Sequence, residues 1–140
     1  DQPFRLFDLA IDFREDVKPL SQNEIDLICR IFAEHKATYK ISSIHVNGWF
    51  GDYNKLSTAR LFLQERFSLN REEAARSMLF VGDSPNDEPM FEALELTVGV
   101  ANIKHFSSKM KHLPKYVTGN SGGHGFAEMS RIILDKRKTA

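Results

Sequence analysis

Asp83 and Asp87 are the residues whose types and spacing point most directly to chemistry. They stand in the run Leu79-Phe80-Val81-Gly82-Asp83-Ser84-Pro85-Asn86-Asp87-Glu88-Pro89-Met90-Phe91. Two carboxylates held close together repel unless positive charge lies between them. A hard cation such as Mg2+ meets that need, bound by one or two carboxylates with waters and a phosphate. The same acids also have a plainer reading, in which Asp87 and Glu88 in a first helical turn complement the helix macrodipole.

The elements that must position these acids are legible locally. Met78 to Val81 is a short apolar run of the kind buried in a parallel sheet. Gly82 permits a sharp turn at the strand end. Pro85 fixes its own φ and pushes Ser84 towards an extended conformation. Asn86 is the expected N-cap of a following helix, with Pro89 in its first turn, where a missing N–H costs little. Asp83 and Asp87 are therefore expected at the carboxyl end of a strand beside a helix N-terminus. Open α/β sheets bind ligands at such places, and helix N-termini favour anions.

Gly82-Asp83-Ser84-Pro85-Asn86-Asp87, preceded by Leu79-Phe80-Val81, resembles the fourth motif of the HAD-superfamily phosphatases. The likeness is strongest to the Cof-like subclass that includes sucrose-phosphate phosphatase and mannosyl-phosphoglycerate phosphatase. The resemblance implies Mg2+ as cofactor and Asp83 as its direct ligand. It places Asp87 in the inner or outer shell, and Asn86 and Ser84 near the phosphate or substrate. Gly51-Asp52-Tyr53-Asn54-Lys55 resembles the third motif, whose lysine neutralises phosphate and nucleophile, so a catalytic role is implied for Lys55. In isolation Lys55 reads as an ordinary surface lysine opening a helix. The physical need is nonetheless plain, because a dianionic phosphate beside carboxylates requires fixed positive charge. The resemblance spans most of the chain and is weaker before Asn47.

HAD phosphatases carry an aspartate nucleophile in an Asp-x-Asp run, and nothing here matches it; Asp8, Asp12 and Asp16 have the wrong spacing. The resemblance therefore implies a partial HAD-like α/β Rossmannoid core, a parallel sheet with flanking helices, joined to the end of an α/β cap. Residues 1–47 would be the C-terminal part of the cap and 48–140 the C-terminal half of the core. The implied function is hydrolysis of a small phosphate monoester, a sugar phosphate, through an aspartyl-phosphate whose nucleophile lies outside this chain. The chain alone would be inactive, and its open sheet edge would favour a homo-oligomer. Two alternatives stay open: a non-catalytic α/β module binding a cation or a partner, and a phosphoryl transferase resembling phosphomannomutase.

The composition excludes other classes. With 140 residues, 41% hydrophobic, the chain can build a real core. Its formal net charge of zero supplies no field to gather nucleic acid or an acidic membrane. Lys136-Arg137-Lys138 reads as a solvated basic end. The lone Cys29 cannot form an internal disulfide, which points to a reducing, cytoplasmic setting. No apolar run has transmembrane length. His35, His45, His105, His112 and His124 show no zinc spacing and read as structural or surface residues, with His124 the one best placed to approach substrate. Gly119 to Gly125 lacks the Gly-Lys-Ser/Thr ending of a P-loop. No Ser-His-Asp triad can be assembled.

Along the chain, Phe4 to Phe13 reads as a strand with a bulge, Ser21 and Glu24 as a capping box opening a helix to about Lys36, and Tyr39 to Val46 as a second strand. Asn47 to Asn54 reads as a loop whose Trp49 and Phe50 cap a core or meet a domain interface. Helices are expected over 55–67, after Asn70, and from the acidic loop to about Leu94. Short strands are expected at Leu96 to Val100 and Tyr116 to Thr118, with an irregular or briefly helical stretch, Ala101 to Leu113, between them. Gly119 to Gly125 reads as a flexible loop before a closing helix. Alternating strands and helices argue for a doubly wound parallel sheet.

Overall fold

The computed structural model describes residues 2–138. The outer ends of the two expected domains, Asp1 and Ala140, lie outside the described residues. The chain divides into two compact units between Tyr53 and Asn54, six residues beyond the boundary placed at residue 47. The displacement has a simple origin. Asn47 to Trp49 belong to a strand hydrogen-bonded on both sides within the first unit.

The first unit is a three-stranded antiparallel sheet with one helix. Its strands are β1 (Asp8–Asp12), β2 (Thr38–Ile41) and β3 (His45–Trp49), in the order β1-β3-β2. The helix α1 (Gln22–Glu34) opens on the expected capping box, with Ser21 N and Oγ each donating to Glu24 Oε2 at 2.7 Å. Phe13, Ile25, Cys29 and Val46 form its core, with Leu20, Ile28 and Phe32 packed against them. Gly48 in β3 allows the α1 ring of Phe32 to lie on the strand, since a Cβ there would meet that ring at 2.1 Å.

Three sequence expectations fail here for identifiable reasons. The strand expected over Phe4 to Phe13 begins only at Asp8, because β3 ends at Trp49, opposite Asp8. Upstream, the Gln2 amide donates to Asp8 O and accepts from Ala10 N, and Gln2–Phe4 forms a 3-10 turn instead. The single strand expected over Tyr39 to Val46 is a hairpin. Ser42 Oγ accepts from Ile44 N and His45 N, and Ser42 N donates to His45 O, so a serine-mediated turn replaces extended backbone. The loop expected from Asn47 is strand as far as Trp49. The Trp49 indole donates to Tyr53 O at 3.0 Å, and Phe50 is exposed.

The second unit is α/β with a parallel sheet. Its strands β4 (Leu79–Gly82), β5 (Leu96–Gly99) and β6 (Tyr116–Val117) lie in the order β4-β5-β6, all parallel. The helices are α2 (Lys55–Phe67), α3 (Arg71–Ser77), α4 (Glu88–Ala93) and α5 (Gly122–Lys138), with a 3-10 stretch over Ala101–Lys109. Phe91, Ile103 and Met110 form a buried cluster, flanked by Phe80 and Phe106. Each such side chain contributes about 1.5–3 kcal/mol on burial. Helix α5 starts within the stretch expected to be a loop. Asn102 Oδ1 accepts from Gly122 N and Ser121 O accepts from Gly125 N, so tertiary and local partners override the low helix propensity of glycine. Among the described residues no helix is long and apolar enough to cross a membrane.

Candidate functional site

The site is built at the carboxyl end of β4 and the start of α2. Asn54 caps α2, its Oδ1 accepting from Leu56 N at 2.9 Å and Ser57 N at 3.0 Å. This fixes Lys55 as the first helical residue. After Gly82 the chain passes through a 3-10 turn, Pro85–Asp87, closed by Asp87 N donating to Ser84 O at 3.0 Å, and α4 begins at Glu88. Asn86 is therefore inside the turn and is not the N-cap expected of it. Proline at its first position and the extended Ser84 before it account for the turn.

Asp87 is the centre of the arrangement, and its residue is 2% exposed. Its Oδ1 lies 2.5 Å from Lys55 Nζ. Its Oδ2 accepts from Asp83 N at 3.0 Å and Ser84 N at 3.4 Å. Glycine at position 82 is what admits this carboxylate, because a Cβ there would lie 2.6 Å from Asp87 Oδ2 and 2.8 Å from its Cγ. A buried carboxylate is tolerated when paired and hydrogen-bonded, and both conditions hold here.

The remaining groups arrange themselves around that centre. Asn86 Oδ1 accepts from Lys55 Nζ at 3.3 Å and from Ser84 Oγ at 3.1 Å. Two donors on the oxygen fix the orientation of the amide and leave Nδ2 uncommitted among the described residues. Lys55 has three N–H donors and spends two, on Asp87 and Asn86. Ser84 is buried with its hydroxyl turned to Asn86. Asp83 is half-buried, and its Oδ2 accepts from Asn102 Nδ2 at 3.3 Å.

All five residues singled out in the sequence, Lys55, Asp83, Ser84, Asn86 and Asp87, thus join one hydrogen-bonded group. Its open valences are an N–H of Lys55, the Nδ2 of Asn86 and the Oδ1 of Asp83. Asn102 was missed. It lies just beyond β5, the neighbour of β4, and a polar residue at the carboxyl end of an adjacent parallel strand was a usable signal.

Carboxylates elsewhere hold loops. Glu128 Oε1 accepts from Gly119 N at 2.9 Å, and its Oε2 from Asn120 N and Nδ2. The Gly119 N–H, followed by the Asn120 side chain, holds its carboxyl below the usual glutamate range. Glu88 Oε1 accepts from Lys111 N and His112 N, and these bonds, His112 first, lower its carboxyl likewise. In the first unit Asp12, Glu15 and His45 bring ligand-type atoms within 4.8 Å of one another. The Asp12 carboxylate is already spent on the N–H groups of Arg14, Glu15 and Asp16, and the Glu15 bond leads in lowering its pKa. Asp12 therefore serves a turn. His124 is exposed in the first turn of α5.

No protein-family model and no curated protein matches the chain. Among solved structures it is similar to the crystal structure of Thermoplasma acidophilum 0175, with a TM-score of 0.59 and 20% sequence identity. The match covers 92% of this chain and 51% of that one, so the chain spans about half the length of that protein. The fold is α/β and Rossmann-like. In such a fold the carboxyl ends of the parallel strands are the ligand-binding edge, and Gly82 leads Asp83 out of β4 at that edge.

Proposed function

We propose that the second unit carries the cation- and lysine-bearing half of a Mg2+-dependent HAD-type phosphatase acting on a small phosphate monoester, a sugar phosphate. What supports this reading is one feature: an open carboxylate oxygen on Asp83 and open N–H donors on Lys55 and Asn86 meet around a single buried carboxylate, Asp87. A site for a cation alone would not need the donors, and a site for an anion alone would not need the carboxylate. A phosphate with its divalent cation uses both.

The residues present fit Mg2+, which takes one or two carboxylates and keeps several waters. Asp83 would hold it, and the ion would supply charge neutralisation for the transferring phosphoryl group. Asp87, with both oxygens engaged, supports Asp83 and Lys55 from the outer shell. Lys55 would donate its third N–H to a phosphate oxygen, and Asn86 Nδ2 would orient it. A nucleophilic carboxylate from outside this chain would displace the alcohol and form an aspartyl-phosphate, which water then cleaves to free phosphate and the restored aspartate. Among the described residues no strand pairs with the outer edge of β4, so a further parallel strand could bring such a group alongside Asp83. The same open edge would favour self-association of the chain.

The test is a Mn2+ titration of this chain and of Asp83→Asn, followed by isothermal calorimetry. Affinity should fall at least tenfold in the variant. Equal affinities would overturn the assignment of the cation to Asp83.

A further inference from the structure

We propose that Asn102 is a positioning residue that commits Oδ2 of Asp83 and reserves Oδ1 for the cation. The inference rests on the phosphatase reading of Asp83 and adds a residue to it. Asn102 Nδ2 donates to Asp83 Oδ2 at 3.3 Å, while Asn102 Oδ1 accepts from Gly122 N at 3.1 Å. A carboxylate can only accept and a backbone N–H can only donate, so these partners allow a single orientation of the amide. The side chain is therefore locked at both ends, between the acidic loop and the first residue of α5.

The consequence for Asp83 is directional. Its backbone N–H is held by Asp87 Oδ2 and its side-chain Oδ2 by Asn102. The backbone bond fixes where the residue leaves β4, and the amide bond fixes how the carboxylate is turned. Oδ1 has no partner among the described residues. Ligands oriented by such outer partners lose about 10–100-fold in metal affinity when the partner is removed. Asn102 also joins the segment after β5 to α5, so the aim of Asp83 depends on two elements outside the acidic loop.

The experiment compares Mn2+ affinity in the wild-type chain, Asn102→Ala, Glu128→Ala and Asp83→Asn, at a temperature where circular dichroism shows all four folded. Glu128→Ala releases Gly119 and Asn120, just before the same end of α5, without touching Asp83, so it controls for loosening alone. Asn102→Ala should weaken Mn2+ by about 10–100-fold, while Glu128→Ala stays within about threefold. Equal weakening in both variants would reduce Asn102 to a structural tie and overturn the proposal. So would an unchanged Asn102→Ala beside a weakened Asp83→Asn. If Asp83→Asn itself binds Mn2+ as the wild type does, the underlying phosphatase reading fails, and that outcome is distinct from the other two.

Discussion

Lys55 Nζ lies 2.5 Å from Asp87 Oδ1 across 32 residues of sequence, joining the first residue of α2 to the turn that follows β4. The lysine side chain is 59% exposed and the aspartate 4%. The pair therefore has an inner member that needs its partner and an outer member that retains a donor for something else.

Removing the lysine should accordingly cost stability as well as function. From sequence, Lys55 looks dispensable to the fold, since the apolar residues of α2 do not include it. The structure changes that expectation, because Lys55→Ala leaves one oxygen of a buried carboxylate unpaired. A loss of about 1–3 kcal/mol is expected in chemical denaturation, and the double variant Lys55→Ala/Asp87→Asn should recover part of it by removing the stranded charge. A single variant as stable as the wild type would show that the pair does not hold the turn.

Gly82→Ala should disturb the same centre from below. The new methyl would sit 2.6 Å from Asp87 Oδ2, and relief requires the carboxylate to leave Asp83 N. Overpacking of this kind costs about 1–3 kcal/mol, and Mn2+ affinity should fall with it. A variant matching the wild type in both melting and Mn2+ titration would contradict the close approach.

Acid should loosen the loops behind the site. Glu88 and Glu128 have folded-state pKa values depressed below the ordinary 4.5 by backbone N–H donors. A depressed carboxyl contributes stability above its unfolded pKa and loses it as pH falls through the lower, folded value. Glu128→Gln should therefore lower the melting temperature at neutral pH, and the deficit should shrink as the pH falls through the depressed folded value. A deficit that stays the same size throughout an acid titration would separate the stability of the loop from the charge of Glu128.

The chain alone should not hydrolyse phosphate esters. Asp8, Asp12 and Asp16 lie in the first unit, and the Asp12 carboxylate is consumed by its own turn. Without an in-line nucleophile, electrostatics and proximity lower the barrier only in part. Purified chain assayed with an aryl phosphate and Mg2+ should show no metal-dependent turnover. Turnover abolished by Asp83→Asn would reveal a nucleophile within this chain.

Much of the second unit could be read from sequence because its signals are local. The apolar run before Gly82, the proline after Ser84 and the cap at Asn54 each constrain the backbone within a few residues, and together they place Asp83, Asp87 and Lys55. Some of what escaped is also local: Ser42 turns the chain through bonds from Ile44 N and His45 N, two and three residues on, a serine turn that strand-forming neighbours conceal. The rest depended on distant partners, as where Asn102 meets Gly122 N at the start of α5. The role of Asn102 is set by Asp83 and Gly122 together, 19 and 20 residues away, and no periodicity in the intervening sequence encodes that meeting. The Asn86 expectation failed for a smaller reason: the proline before it starts a 3-10 turn, and the helix proper waits until Glu88.

The central claim is that Asp83 and Lys55 form one site for a cation and a phosphate together. Its most direct test is the affinity of the chain for inorganic phosphate, measured by calorimetry with and without Mg2+, in the wild type and in Asp83→Asn. Mg2+ should tighten phosphate binding by on the order of 5–150-fold in the wild type, the usual span of coupling between linked ligands, and the tightening should vanish in Asp83→Asn. Phosphate affinity indifferent to Mg2+, or tightening that survives in Asp83→Asn, would contradict the account.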